Sequence, residues 1–156
     1  MIDWQDVKTW VVLLVDDEPD NLEVVAETLE FRGAHVKTAG NGVEALAILK
    51  DFTPNIIIAD LSMPQMDGWV LRTRLKVDPV LQDIPILALS AHAMAGDKER
   101  AISAGFDGYL TKPIDIHTLT NDIRTALQSA QQIAPSAAVQ QPQQAQQIEQ
   151  KLEEIK

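Results

Sequence analysis

The sequence contains no cysteine, which excludes disulfide bonds, zinc–thiolate sites and catalysis by a thiol. It also has few basic residues, since 13 lysines and arginines stand against 23 acidic residues, for a formal charge of -10. This balance repels the phosphate backbone of nucleic acids, so we expect no direct binding to nucleic acid. The start, MIDWQDVKTW, is too acidic for a signal peptide and the apolar runs are only strand-sized. We therefore expect no membrane association and a cytoplasmic location.

The size and composition are those of one soluble globular domain with a different C-terminal segment. The 156 residues are 46% hydrophobic and 23% charged, which is ordinary for a globular protein. From residue 129 onward Gln, Ala and Pro dominate and no aromatic residue occurs, too little apolar mass for a core. We predict a domain in residues 1–128, with residues 1–10 as a leader, and a flexible tail or linker in residues 129–156. The terminal segment IEQKLEEIK is compatible with a short helix, marginal alone in water.

Short β-branched runs alternate with amphipathic stretches along the domain, a pattern typical of parallel strands joined by helices. The predicted strands are Val11–Val15, Ala34–Ala39, Asn55–Ala59, Ile84–Leu89 and Phe106–Leu110. Their apolar character indicates burial on both faces of a sheet. The predicted helix faces are Leu22, Val25, Ala26 and Leu29 in the first helix and Ile116, Leu119, Ile123 and Ala126 in the last. The pattern predicts an α/β domain of five strands and five helices, with the loosest apolar spacing in residues 69–76.

Polar residues follow four of these strands, at the edge where ligands bind to an open parallel sheet. They are Asp16, Asp17 and Glu18 after the first strand, Asp60 after the third, Ser90 after the fourth, and Thr111, Lys112 and Pro113 after the fifth. If the first, third and fourth strands form the middle of the sheet, these side chains converge on one crevice.

A cluster of carboxylates in one crevice favours a bound cation, because the charges otherwise repel one another. An all-oxygen set of ligands suits Mg²⁺, with Mn²⁺ as an alternative. We predict Asp17 and Asp60 as direct ligands, with Asp16 acting through water. A carboxylate beside a metal and a lysine can attack phosphorus to give an aspartyl phosphate. Lys112 would be that lysine, and the Ser90 hydroxyl would donate to a phosphoryl oxygen.

Each residue considered alone also has an ordinary interpretation. An aspartate at a strand end is most often a solvated turn residue or a helix cap, and a single serine or lysine is no more specific. The functional interpretation depends on their joint occurrence at the ends of separate strands. Two interpretations of His92 stay open: a loop histidine without chemistry, the commoner case, or one that tunes the access of water to the phosphate. His35 and His117 are assigned no chemistry.

Four segments, VVLLVDDEP, IIIADLSMPQMDG, ILALSAH and GYLTKP, resemble the successive signatures of response-regulator receiver domains. The resemblance covers residues 11–128, and its specificity comes from the order of all four signatures. It implies a flavodoxin-like (βα)5 fold, a doubly wound parallel sheet with strand order 2-1-3-4-5. It also implies a two-component or phosphorelay signalling protein.

The resemblance further implies that a histidine kinase or a histidine phosphotransfer protein phosphorylates Asp60. The implied metal ligands are Asp16, Asp17, Asp60 and the backbone carbonyl of Ser62, and the implied phosphate-binding and switch residues are Ser90, Tyr109 and Lys112, with a cis Lys112–Pro113 bond. Phosphorylation would then shift the population toward a second state. That state would present a changed surface of the fourth helix, fifth strand and fifth helix to a downstream protein.

Alternative functions follow from the same residues. We expect a signalling switch without an output domain in this chain, because the segment after Gln128 is too short to fold as one. If the chain continues beyond Lys156, the domain would be the receiver of a larger regulator or hybrid kinase. An aspartyl-nucleophile phosphatase typically has Asp-x-Asp after the first strand, a spacing that residues 15–18 lack. A receiver that works without phosphorylation is disfavoured because no member of the site is missing.

Overall fold

The computed structural model describes residues 2–91 and 96–128 and contains a five-stranded sheet flanked by helices. The strands are β1 (Val11–Val15), β2 (His35–Ala39), β3 (Ile56–Asp60), β4 (Ile86–Ser90) and β5 (Gly108–Thr111). The helices are α1 (Pro19–Phe31), α2 (Gly42–Ile48), α3 (Gly68–Lys76), α4 (Asp97–Ser103) and α5 (residues 119–128), and a 3-10 helix (Val7–Thr9) precedes β1. The predicted tail in residues 129–156 lies outside the described residues.

All strand pairs in the sheet are parallel, and the order is β2-β1-β3-β4-β5. This confirms the predicted doubly wound, flavodoxin-like fold and its strand order. Strands β1, β3 and β4 are the middle of the sheet, as the convergence of the polar residues requires. The register pairs Asp60 with Leu89 and Ser90 with Thr111, so the ends of β3, β4 and β5 lie side by side.

The hydrophobic core lies on both faces of the sheet, because alternate residues of a strand point to opposite sides. Val12 and Leu14 of β1 belong to the cluster that includes residues of α1 and α5, whereas Leu13 and Val15 belong to the cluster with α2, α3 and α4. Every residue of β3 and β4 is buried, as the apolar runs predicted. In the first helix, Val25, Ala26 and Leu29 are buried on the predicted face, with Leu22 packed beside them.

Three predictions are corrected by the structure. Strand β2 pairs only with β1 and is largely exposed, because it lies at the edge of the sheet. Strand β5 begins at Gly108 rather than Phe106, because the amide of Phe106 bonds to Ala101 at the end of α4. Ile116 lies in the turn before α5 and is 43% exposed, so it does not share the buried face of that helix.

Local sequence features explain where several helices begin and end. Pro19 is the first residue of α1, and the Asn41 side chain accepts a hydrogen bond from the amide of Glu44 at the start of α2. Gly33 and Gly105 follow α1 and α4 with φ angles of 105° and 104°. This left-handed conformation favours glycine, which explains why both helices end there.

The leader, residues 2–10 of the described chain, packs against the rest of the domain. Trp10 is fully buried and its ring lies 5.5 Å from that of Trp4 in an edge-to-face arrangement. Arg124 of α5 donates from Nε to the Trp4 carbonyl over 2.9 Å and lies over the Trp10 ring at 5.7 Å. The leader is therefore tied to α5. Among the residues that the structure describes, no helix has the length and apolarity needed to cross a membrane.

Candidate functional site

Two buried aspartates stand at the carboxyl edge of the sheet. Asp60 is the last residue of β3 and is 5% exposed, and Asp16 directly follows β1 and is fully buried. The amide of Asp16 donates to the carbonyl of Ala39 at the end of β2, so the sheet pairing extends to this residue. The parallel order of β1 and β3 therefore brings together two carboxyls that are far apart in the sequence.

Lys112 lies between these carboxylates. Its Nζ is 2.8 Å from Oδ2 of Asp60 and 3.0 Å from Oδ2 of Asp16, and its side chain is only 10% exposed. The backbone amide of Lys112 donates to the carbonyl of Ser90 over 2.8 Å, which continues the pairing of β4 with β5. The next peptide bond, Lys112–Pro113, is cis. The end of the β-sheet thus fixes the lysine backbone, and the ammonium closes the acidic crevice.

The chain makes a tight turn after Asp60. The amide of Ser62 donates to Oδ1 of Asp60 over 2.9 Å, so both oxygens of this carboxylate have hydrogen-bonding partners. Further along, Gly68 begins α3 against the end of β3, where a Cβ atom would lie 2.4 Å from the carbonyl oxygen of Asp60. Only glycine allows that close approach, which explains the glycine in the motif MDG.

Both carboxylate oxygens of Asp16 also accept hydrogen bonds from neighbouring residues. The amide of Glu18 donates to Oδ1 of Asp16 over 3.0 Å, and the Asn21 side-chain amide donates to Oδ2. Asn21 was not among the predicted site residues. Its position in the first turn of α1 was available from the sequence, but no spacing rule singled it out.

Burial and the hydrogen bonds of the crevice have opposite effects on the pKa of Asp60 and on that of Lys112. Burial raises the pKa of Asp60 above its usual range, and the nearby Asp16 carboxylate adds to that rise, while hydrogen bonds from Lys112 and Ser62 lower it in part. Burial lowers the pKa of Lys112, but its hydrogen bonds to Asp60 and Asp16 outweigh that effect and raise it. Lys112 therefore stays charged, while Asp60 carries its negative charge at a free-energy cost that a further cation would reduce.

The crevice has the donor set of a hard divalent cation. One carboxylate oxygen from each of Asp16, Asp17, Glu18 and Asp60 lies within 4.8 Å of the others. Asp17 and Glu18 are exposed at the mouth, whereas Asp16 and Asp60 form the floor. An all-oxygen cluster of this kind fits Mg²⁺, which binds carboxylates and retains water ligands.

The remaining predicted residues that the structure describes lie at the end of β4, in β5 and in the turn after β3. Ser90 ends β4 and is 4% exposed. Tyr109 is half-buried in β5 beside Ala88, and the exposed Ser62 lies beyond Asp60. His92 lies outside the described residues. The structure thus gathers Asp16, Asp17, Asp60 and Lys112 in direct proximity.

Sequence reasoning noted Glu18 but gave it no role. Its Oε1 lies 3.4 Å from Nζ of Lys112, and its side chain is 65% exposed. The sequence placed Glu18 beside the acidic pair, but its contact with a lysine 94 positions away depends on the tertiary fold.

Comparison with known proteins agrees with this geometry. The family model for the response regulator receiver domain matches residues 12–124. An uncharacterized 14.6 kDa protein from Leptolyngbya boryana is 40% identical over 104 residues, covering 67% of this chain and 79% of that protein. The signal transduction histidine-protein kinase BarA of Escherichia coli strain K12 is 38% identical over 110 residues, covering 70% of this chain but 12% of BarA. The structure of the chemotaxis response regulator CheY4 of Vibrio cholerae superimposes with a TM-score of 0.70 at 31% identity, covering 76% of this chain and 98% of CheY4.

Together with the family match, this fold and site define a class of signalling switches rather than of classical enzymes. This chain belongs to the response-regulator receiver domain family of two-component signalling. The similarity to BarA covers only 12% of that kinase, so it does not indicate kinase activity in this chain.

Proposed function

We propose that this receiver domain accepts a phosphoryl group on Asp60 in a Mg²⁺-dependent reaction and thereby changes a protein-binding surface. The observation that carries the proposal is the position of the Lys112 ammonium, 2.8 Å from the Asp60 carboxylate and 3.0 Å from that of Asp16. The proposed nucleophile and a positive charge thus lie together at the edge of the sheet where ligands bind.

The residues of the crevice suit phosphoryl transfer. An oxygen of Asp60 would form the bond to phosphorus while the bond between phosphorus and the donor's imidazole nitrogen breaks, and the electron pair stays on that nitrogen. Lys112 would contact a phosphoryl oxygen, and the hydroxyl of Ser90 would donate to another. A bound Mg²⁺, held by Asp17, Asp60 and the Ser62 carbonyl with Asp16 through water, would offset the charge of the phosphoryl oxygens.

The surface that would change on phosphorylation is formed by α4, β5 and α5. A groove of about 700 Å³ is lined by residues of α4, β5 and α5, among them Ile102, Tyr109 and Ala126. Ser90 pairs with Thr111 in the sheet, so a shift of Ser90 toward a phosphate reaches β5 directly. Tyr109 is half-buried at this groove, where an inward turn of its ring would alter the lining. The groove is therefore the proposed contact surface for a downstream protein.

The proposed phosphodonor is a histidine kinase or a histidine phosphotransfer protein. Support comes from the family and from the likeness to part of the histidine-protein kinase BarA. Asp17 and Glu18 are exposed, so the mouth of the crevice faces the solvent from which a donor would approach. We further propose a cytoplasmic location, in keeping with such a donor.

The test is phosphorylation by a small acyl phosphate with and without Mg²⁺, followed by intact-protein mass spectrometry. We expect the wild type to gain one phosphoryl group only with the metal, and Asp60→Asn to gain none. Asp51→Asn, at an exposed position after α2, is a matched control and should label like the wild type. Equal labelling of wild type and Asp60→Asn would refute the proposal.

A further inference from the structure

The ammonium of Lys112 has three carboxylate neighbours, and the third is Glu18. The distances from Nζ are 2.8 Å to Asp60, 3.0 Å to Asp16 and 3.4 Å to Glu18. An ammonium group has three hydrogen-bond donors and no acceptor. The three carboxylates therefore account for all the donors of Lys112 before any phosphoryl group arrives.

The side chain of Glu18 is directed to this contact and not to the helix that it precedes. Glu18 is the N-cap residue of α1, yet its side chain makes no capping hydrogen bond. N-cap side chains ordinarily accept a hydrogen bond from an amide of the first helical turn. The carboxylate of Glu18 instead lies within the acidic cluster and contacts Lys112 across the mouth of the crevice.

We propose that Glu18 is a positioning residue that holds one donor of Lys112 in the unphosphorylated state and releases it to the phosphoryl group. This inference depends on the proposed phosphorylation of Asp60. A phosphoryl oxygen can bond to Lys112 only if a carboxylate gives up its donor. Glu18 is the partner to be displaced, since it is the most distant of the three and its side chain is 65% exposed, against 0% for Asp16 and 7% for Asp60.

The proposal predicts that Glu18 slows the reaction with anionic donors. Its carboxylate both occupies the lysine and places a negative charge at the entrance. Glu18→Gln should raise the phosphorylation rate by an anionic acyl phosphate roughly two- to fivefold at low ionic strength, the range expected for an exposed ion pair. The acceleration should shrink at high salt, because exposed charges are screened.

The experiment compares phosphorylation rates of wild type, Glu18→Gln, Glu18→Ala and Glu27→Gln at low and high salt. Glu27→Gln removes the same charge from an exposed position further along α1 and should react like the wild type. The NMR signal of the Lys112 ammonium supplies a second measurement: without phosphodonor, Glu18→Gln should speed its proton exchange with water, and Glu27→Gln should not.

Each outcome decides between the inference and the proposed function. Faster labelling of both Glu18 variants, with Glu27→Gln unchanged, supports the positioning role. Unchanged or slower labelling of both Glu18 variants, with Asp60→Asn still unlabelled, would overturn that role and leave the proposed function intact. Equal acceleration by Glu27→Gln would show a general effect of charge and would also overturn the positioning role of Glu18. A wild type that takes up no phosphoryl group would refute the proposed function itself.

Discussion

Nζ of Lys112 lies 2.8 Å from Oδ2 of Asp60 and joins the residue after β5 to the last residue of β3. The two residues are 52 positions apart in the sequence and meet because β3, β4 and β5 are adjacent parallel strands. The contact puts a fixed positive charge next to the proposed nucleophile before any ligand binds. The crevice is therefore preorganised for an incoming anion.

The raised pKa of Asp60 predicts that its charge costs stability at neutral pH. Between the ordinary value of 3.8 and the raised value, the folded protein binds more protons at Asp60 than the unfolded chain does. The stabilising contribution of this carboxyl is fully present below 3.8 and is lost as the pH rises through the raised value. Without Mg²⁺, Asp60→Asn should therefore melt a few degrees above the wild type at neutral pH.

Thermal unfolding at several pH values checks the sign of this effect. The difference in Tm between Asp60→Asn and the wild type should narrow as the pH falls through the raised pKa. Asp51→Asn should show no such pattern, because Asp51 is exposed. A wild type that is more stable than Asp60→Asn at neutral pH would contradict the assigned direction.

Replacement of the lysine separates phosphorylation from its structural consequence. In Lys112→Ala we expect labelling of Asp60 to survive, because the nucleophile and the acidic cluster remain. The change in amide exchange along β5 and α5 should be weaker than in the wild type, since the phosphoryl group loses its contact with the end of β5. Lys50→Ala, at an exposed position, should switch normally. An undiminished change in Lys112→Ala would exclude the proposed role of the lysine.

Binding of Mg²⁺ should stabilise the folded state, because the unfolded chain does not assemble the acidic cluster. At about ten times its Kd, the ion should add about 1.4 kcal/mol to the free energy of unfolding. Urea unfolding with and without MgCl₂ measures this increment. We expect it to be largely lost in Asp17→Asn and retained in Asp51→Asn. The same increment in both variants would remove Asp17 from the proposed ligands.

The packing of the leader predicts that the Trp10 side chain contributes strongly to the free energy of unfolding. Trp10 is fully buried against Trp4 and Arg124, so Trp10→Ala should lower the free energy of unfolding by about 3–5 kcal/mol. Phe31→Ala is the matched aromatic control, because Phe31 is 93% exposed and should change stability by no more than about 0.5 kcal/mol. Similar losses in the two variants by urea unfolding would show that the leader contributes little.

The sequence was most informative about the strands and their ends. Buried parallel strands are continuous apolar runs, so β1, β3 and β4 were found to within two residues of their observed bounds. The residues that end these runs are the ones gathered in the crevice, because strand order and register place Asp16 and Asp60 side by side. The family resemblance supplied the strand order that the runs alone could not.

The parts that the sequence did not predict depend on contacts between distant segments. The exposure of β2 follows from its position at the edge of the sheet, which its own composition does not reveal. The burial of Trp10 requires α5, and the contact of Glu18 requires the loop after β5. The late start of β5 reflects the hydrogen bond from the amide of Phe106 to the carbonyl of Ala101 in α4.

The most direct test of the account is the location of the phosphoryl group within the chain. After treatment of the wild type with an acyl phosphate and Mg²⁺, proteolysis and mass spectrometry should place a single phosphoryl group on Asp60, in the segment IIIADLSMPQMDG. A phosphoryl group on Asp16, Asp17 or any residue other than Asp60 would contradict the account, as would the absence of any labelled peptide.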